Sequence, residues 1–217
     1  MLPRMLVVAK APVPGQVKTR LGAAVGMAAA AEVAAAALLD TLAVCRRAVG
    51  AERCHLSLAG HLADATRADE LARELVGWSV VPQRGRDFGD RLAHAHRGVP
   101  GPVVQVGMDT PQVTEDLLLT VAAGLAEHDA VLGPAEDGGW WALALRDPAR
   151  AAVLSGVPMS TPTTYADTRA ALVADGCRVG TASALRDVDE VADGHLVAAQ
   201  APGSRFARAW SGVGALG

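Results

Sequence analysis

Three cations stand close together near the start of the chain. Lys10, Lys18 and Arg20 lie in the stretch Met5-Leu-Val-Val-Ala-Lys-Ala-Pro-Val-Pro-Gly-Gln-Val-Lys-Thr-Arg-Leu21, where Pro12, Pro14 and Gly15 separate an apolar run from an alanine-rich segment. Fixed cations in a loop between a buried strand and a helix are a common means of holding phosphates at the carboxyl end of a parallel sheet. Carboxylates follow at intervals: Asp109 after the apolar run Val103–Gly107, Asp137 beside Gly138 and Gly139, and the alternating pair Asp187 and Asp189. Such oxygen donors suit a hard cation, Mg²⁺ or Mn²⁺, which takes one or two carboxylates together with substrate phosphates.

The cationic stretch is not a Walker A loop. That motif needs Gly before Lys-[Ser/Thr], whereas Val17 precedes Lys18-Thr19, and Pro12 and Pro14 remove two amide donors. As a merely solvated helix start, Lys18 and Arg20 would oppose the macrodipole at a cost of roughly a few tenths of a kcal/mol, a sign that an anionic ligand reverses. Asp109, in Gly107-Met108-Asp109-Thr110-Pro111, reads as a metal ligand or as a helix N-cap, with Thr114 the better placed cap. Asp187 and Asp189 point the same way in an extended segment and otherwise form an acidic surface turn. In Gln83-Arg-Gly-Arg-Asp-Phe-Gly-Asp-Arg-Leu92 the glycines let backbone approach a planar base, and Gln83 offers its edge a donor and an acceptor. Arg91 suits a phosphate or carboxylate; the alternative is a charged loop with internal Arg–Asp pairs. Asp137 suits a sugar or acceptor hydroxyl or action through metal-bound water, Trp140 and Trp141 suit core and wall, with the acceptor pocket open to one of them, and Ser160 and Thr161 suit acceptor contacts or caps. His94 and His96, two apart on a predicted helix, face different ways and make no metal pair. No Gly-x-Ser-x-Gly nucleophile elbow occurs, so the chemistry rests on positioning and charge stabilisation.

The segment Ala9 to Leu21 resembles the opening signature of a bacterial family of small GT-A-fold proteins. These are described as glycosyltransferase-like or nucleotidyltransferase-like, are similar to the guanylyltransferase of coenzyme F420 biosynthesis, and fall in the nucleotide-diphospho-sugar transferase superfamily. The resemblance runs over nearly the whole chain: the Gln83–Arg91 loop, the Gly-x-Asp-x-Pro pattern at Asp109 and the Ser160-Thr161 segment follow in order. Leu185 to Asp193 resembles the Asp-Val-Asp-Thr-Pro-Glu-Asp-Leu tail of many sugar nucleotidyltransferases, whose second aspartate, here Asp189, binds metal; Glu190-Val191-Ala192 departs from it at the helix start. The resemblance implies a GT-A, Rossmann-like fold and nucleotide contacts at Lys10, Ala11, Gly15, Lys18 and Asp109, with Gln83, Gly85 and Gly89 cradling the base.

Positioning these groups requires a sheet. Met5–Ala9, Arg53–Ala59, Trp78–Val81, Val103–Gly107, Ala130–Gly133 and Trp140–Leu145 read as strands, with helical stretches over Ala23–Ala48, Asp64–Leu75 and Arg91–Arg97 and after Thr114. The alternation predicts an α/β three-layer sandwich with a mostly parallel central sheet, whose carboxyl edge gathers the five polar loops. The 217 residues carry no linker and read as a single domain over 1–217. Apolar residues are 51% and aromatics 3%, so Ala, Val and Leu must build the core. A net charge of −3 supplies no basic face for a nucleic-acid polymer. Glu32, Asp40, Arg46 and Arg47 interrupt Ala23–Ala48, which makes it an amphipathic surface helix and not a membrane span. No signal peptide is visible, since Lys10 cuts the first apolar run short. Cys45, Cys54 and Cys177, odd in number and without Cys-x-x-Cys spacing, fit a reducing cytoplasm.

The resulting expectation is a cytoplasmic, Mg²⁺- or Mn²⁺-dependent transferase that binds a nucleotide and a small-molecule acceptor, with no membrane partner. In the favoured form a phosphorylated small molecule attacks an NTP and pyrophosphate leaves. Lys18, Arg20 and Asp109 act in catalysis, Asp109 and Asp189 hold the metal, and Arg91, Asp137, Gly138, Gly139, Ser160 and Thr161 bind the acceptor. Glycosyl transfer from a nucleotide sugar and an idle nucleotide-binding protein stay open. So do the base, the acceptor and the oligomeric state, a homodimer included.

Overall fold

Side chains alternate across a strand, and the first apolar run shows it. In β1 (Arg4–Lys10), Met5, Val7 and Ala9 pack into one hydrophobic layer while Leu6 and Val8 pack into another. The computed structural model describes residues 2–213. Six more strands join β1: β2 (Cys54–Ala59), β3 (Ser79–Pro82), β4 (Val103–Val106), β5 (Ala130–Pro134), β6 (Trp140–Leu145) and β7 (Val179–Thr181). They form one sheet in the order β3-β2-β1-β4-β6-β5-β7. Only β6 runs against its neighbours, β4 and β5; the other pairs are parallel. The expectation of a mostly parallel α/β sheet is met. The chain moves outward from β1 in both directions, so the crevice between β1 and β4 is the topological switch point where such sheets take ligands.

Helices cover both faces. They are α1 (Thr19–Val25), α2 (Met27–Val49), α3 (Ala68–Glu74), α4 (Phe88–Arg97), α5 (Glu115–Ala123), α6 (Thr164–Ala174), α7 (Val191–Gln200) and α8 (Arg205–Val213). Leu38 of α2, Leu71 of α3 and Leu118 of α5 share a layer with Met5 and Val7. On the other face Leu92 of α4, Leu154 of a 3₁₀ segment (Pro148–Gly156) and Leu172 of α6 meet Leu6 and Val8. A third cluster joins Leu21 and Val33 to Phe206 and Trp210 of α8.

The alanine-rich segment departs from expectation twice. It is two helices, because Gly26 breaks it with φ 91°, in the region that favours glycine. And α2 is a core helix, not a surface one, since sheet, α1, α3, α5 and α8 all pack on it. By length and hydropathy Met27–Val49 could cross a membrane, yet 78% of its most apolar window is buried inside the protein. Its charges serve as anchors. Glu32 pairs with Arg67 at 2.7 Å, Arg46 with Glu74 at 3.0 Å, and the Asp40 carboxylate accepts from the first two amides of α8. The short β7 was not anticipated; at three residues it carries too little pattern to read.

Candidate active site

Lys18 sits just before α1 in the left-handed region, φ 46°, a conformation that costs a non-glycine residue about 1–3 kcal/mol. What holds it is charge. Its Nζ lies 2.6 Å from Asp109 Oδ1 and 3.0 Å from Asp189 Oδ1, with the lysine side chain only 10% exposed. Burial by itself would lower the ammonium's pKa; the two carboxylates outweigh it and raise the pKa above its ordinary value. Asp109 is free for this role because Thr114 caps α5, its hydroxyl accepting from Leu117 N at 3.2 Å. Arg20, 78% exposed in the first turn of α1, reaches Asp189 at 3.7 Å.

Asp187 and Asp189 both line one cavity of about 540 Å³, with Asp109 and Asp137. Burial first, then the neighbouring Asp109 and Asp137 carboxylates, push the Asp187 carboxyl up to about 7. The segment is held in place by Val188, whose amide donates to the Asp109 carbonyl at 3.0 Å. Where the sequence departs from the familiar tail, Glu190 and Asp193 build a capping box for α7, so the helix start is re-made with different residues.

A second cavity, of about 340 Å³, adjoins the first over the cationic loop and is lined by Lys10, Gln16, Lys18 and Thr19. Arg20, Asp109 and Asp189 border both. The larger cavity also takes Gly139, Ser160 and Thr161, and Trp140 as a wall residue, together with Phe88, Gln105 and Met159, which sequence reasoning had not assigned to a site. Phe88 carried one signal: it is an aromatic inside a polar, glycine-punctuated segment in a chain that has two phenylalanines.

Several expected ligand contacts have internal partners instead. Ala11 is buried at 1% exposure and its amide donates to Ala59 O at 2.8 Å, so neither its side chain nor its N–H faces a nucleotide. Gln83 spends its amide hydrogens on Ala9 O and Ser57 O, at 2.9 and 3.1 Å, tying β1 to β2; only its Oε1 is left for a base. A Cβ on Gly85 would strike the backbone of Arg91 at 2.6 Å, and one on Gly89 would strike Leu154 O at 2.2 Å. Both glycines thus serve packing around α4. Arg86 and Asp90 form the internal pair the bland reading of this loop expected, at 2.8 Å, and Arg91 lines neither cavity. Gly15 makes a turn with φ 76° and open space around it. Gly138 has φ 90° and packs against Pro162 O, where a Cβ would fall at 2.1 Å. Asp137 accepts from the Gly139 amide at 2.7 Å, and Ser160 is itself left-handed, φ 59°.

Whether these residues fit a divalent cation follows from the donor set. Among the described residues no group of three or more His, Cys, Asp or Glu is arranged around one point. Mg²⁺ asks for less, one or two carboxylates with phosphates and water completing the shell. Asp109 and Asp189, near enough to share one ammonium, meet that requirement.

A family model described as "Uncharacterized protein conserved in bacteria (DUF2064)" matches residues 41–161, more than half of the chain. The protein belongs to the DUF2064 family. The matched region holds Gln83, Asp109 and Asp137 and ends at Thr161, so the cationic loop and Asp189 lie outside it. No curated protein matches this DUF2064 chain. Among solved structures it is similar to a protein from Desulfovibrio desulfuricans G20, provisionally described as a nucleotide-diphospho-sugar transferase. Identity is 27%, the TM-score is 0.81, and 97% of this chain and 94% of that one are covered. The fold is also that of 4-diphosphocytidyl-2C-methyl-D-erythritol synthase from Anaerococcus prevotii, at 11% identity and TM-score 0.57, with 92% and 98% covered. Rv0371C of Mycobacterium tuberculosis H37Rv, solved in complex with manganese, is similar at 20% identity and TM-score 0.50, with 91% and 98% covered. The DUF2064 protein thus has the fold of transferase-like enzymes of the nucleotide-diphospho-sugar transferase superfamily.

Proposed function

We propose that the protein is a cytoplasmic nucleotidyltransferase that joins an NTP to a phosphorylated small molecule and releases pyrophosphate. One observation carries this: the cationic cavity and the larger cavity meet at a shared wall of Arg20, Asp109 and Asp189. A triphosphate over Lys10, Lys18 and Arg20 would bring its α-phosphorus to that wall, with the acceptor in the neighbouring cavity. An acceptor phosphate oxygen then attacks the α-phosphorus, the α–β bond breaks, and its electron pair leaves on pyrophosphate. Lys18 and Arg20 balance the charge that builds on the departing group. A divalent cation, Mg²⁺ or Mn²⁺, held by Asp109 and Asp189 would supply further charge neutralisation. Asp137, Gly139, Ser160 and Thr161 line the acceptor side, and the whole chain, 1–217, acts as one unit. The likeness to a cytidylyl-group synthase and to a manganese-bound neighbour supports the reading at the level of fold.

Glycosyl transfer from a nucleotide sugar is the second reading, favoured by the likeness over nearly the full length to the Desulfovibrio protein. Competition binding separates the two. With Mg²⁺ present, an NTP is expected to displace the matching NDP-sugar, because three cations exceed what a diphosphate calls for. An NDP-sugar that binds tighter and resists displacement would reverse the assignment.

A further inference from the structure

One uncharged polar group that borders the larger cavity is almost wholly buried and is held from behind. Gln105 lies on β4, on the face of Val103, is 3% exposed, and borders the cavity beside Val8 and Trp140. Its Oε1 meets Nε2 of His96, on α4, at 2.7 Å. His96 is fully buried, and its Nδ1 has no partner.

That orphan nitrogen decides which way the amide points. A proton on Nδ1 would bury an unpaired donor; a proton on Nε2 leaves only an unpaired acceptor there and gives Oε1 its hydrogen bond. Buried N–H groups without partners are the rarer defect, so the imidazole carries its proton on Nε2. Burial holds the ring neutral, with its pKa down to about 4. Gln105 then cannot flip without setting its NH₂ against the imidazole N–H. Nε2 of Gln105 makes no hydrogen bond among the described residues and is not among the buried unpaired atoms. It is the end of the amide that meets the cavity.

We propose that Gln105 is a specificity-determining residue that donates to a carbonyl or carboxylate oxygen of the acceptor, and that His96 is the positioning residue that aims it. The identity of the occupant as acceptor rests on the transferase reading. A buried amide suits an oxygen of a neutral or singly charged group. The acceptor's phosphate belongs at the shared wall beside Arg20, the one cation of the larger cavity among the described residues, so the amide is left to an oxygen elsewhere on the acceptor.

The test uses isotope-labelled full-length protein in NMR, with acetate, acetamide and inorganic phosphate as probes. The His96 ring is expected as the Nε2–H tautomer at neutral pH. The Gln105 side-chain amide is expected to shift with acetate, acetamide or both, the responding probe identifying the oxygen, and to stay unmoved by phosphate. Gln105→Glu, which keeps an acceptor for His96 but removes the donor, should weaken the responding probe about tenfold, the scale of one hydrogen bond. His96→Leu should weaken it too, though Gln105 is retained. An Nδ1–H tautomer in the unmodified protein, a Gln105 amide indifferent to acetate and acetamide, or a response to phosphate alone would overturn the proposal, and none of these needs a variant to fold. Calorimetry with Mg²⁺ and NTP keeps the two ideas apart. Absence of NTP binding in the unmodified protein would sink the transferase reading, not the amide's role.

Discussion

Lys18 and Asp109, far apart in the chain, meet with Nζ 2.6 Å from Oδ1 at the mouth of the β1–β4 crevice. With Asp189 on its other side, Lys18 stands where two carboxylates converge and supplies the cation that keeps them together. A divalent cation bound there would have to share or take over that role.

Lys18→Ala should therefore do two things. Turnover should fall by roughly 10²–10³, the scale for losing one preorganised donor, as steady-state kinetics would read. Melting of the variant should also respond more to Mg²⁺ than melting of the unmodified protein, because its carboxylates have lost their internal cation. Equal Mg²⁺ responses would separate Lys18 from the metal site.

Asp109→Asn and Asp189→Asn each leave Lys18 one carboxylate, enough to keep the fold. Each is expected to abolish the Mg²⁺-dependent part of nucleotide binding in calorimetry. Unchanged affinity in both would remove the metal from this pair.

Gly89→Ala tests whether the first turn of α4 serves packing or a base. The added methyl would meet Leu154 O at 2.2 Å, a backbone atom that cannot move cheaply. A loss of about 1–3 kcal/mol is expected without any nucleotide present. Full stability in urea unfolding, coupled with weaker nucleotide binding, would return Gly89 to the base cradle.

His96 makes stability pH-dependent. Buried, its imidazole has a pKa near 4, against 6.5 for the ordinary ring. Between these values the unfolded chain binds a proton that the folded protein refuses, so stability falls as pH drops from about 6.5 to about 4 and is unaffected by this group above that. The full loss is roughly 3 kcal/mol. NMR titration of the ring, with urea unfolding at both ends of the range, checks it; a ring that titrates near 6.5 contradicts the burial argument.

Much of this was legible in the residues themselves. An apolar run cut by Pro12, Pro14 and Gly15 marks a strand end, and alternation of strands and helices sends the ends of parallel strands to one edge, so Lys18, Arg20 and Asp109 could be gathered there from periodicity and punctuation, with Asp137 and Asp189 placed by their polar loops and by the resemblance of the Asp189 segment. Those signals are local. Which side chain meets which depends on the strand order, and the order is set by long-range packing. Only the tertiary structure decided that Lys18 turns from solvent to two aspartates, and that Gln83 joins strands. It likewise decided that Gly89 admits Leu154, that α2 lies in the core, and that a buried histidine aims Gln105. Each of these rests on a contact between distant segments, where the cost of leaving a buried charge, donor or volume unmatched selects the partner, and no spacing along the chain encodes that cost.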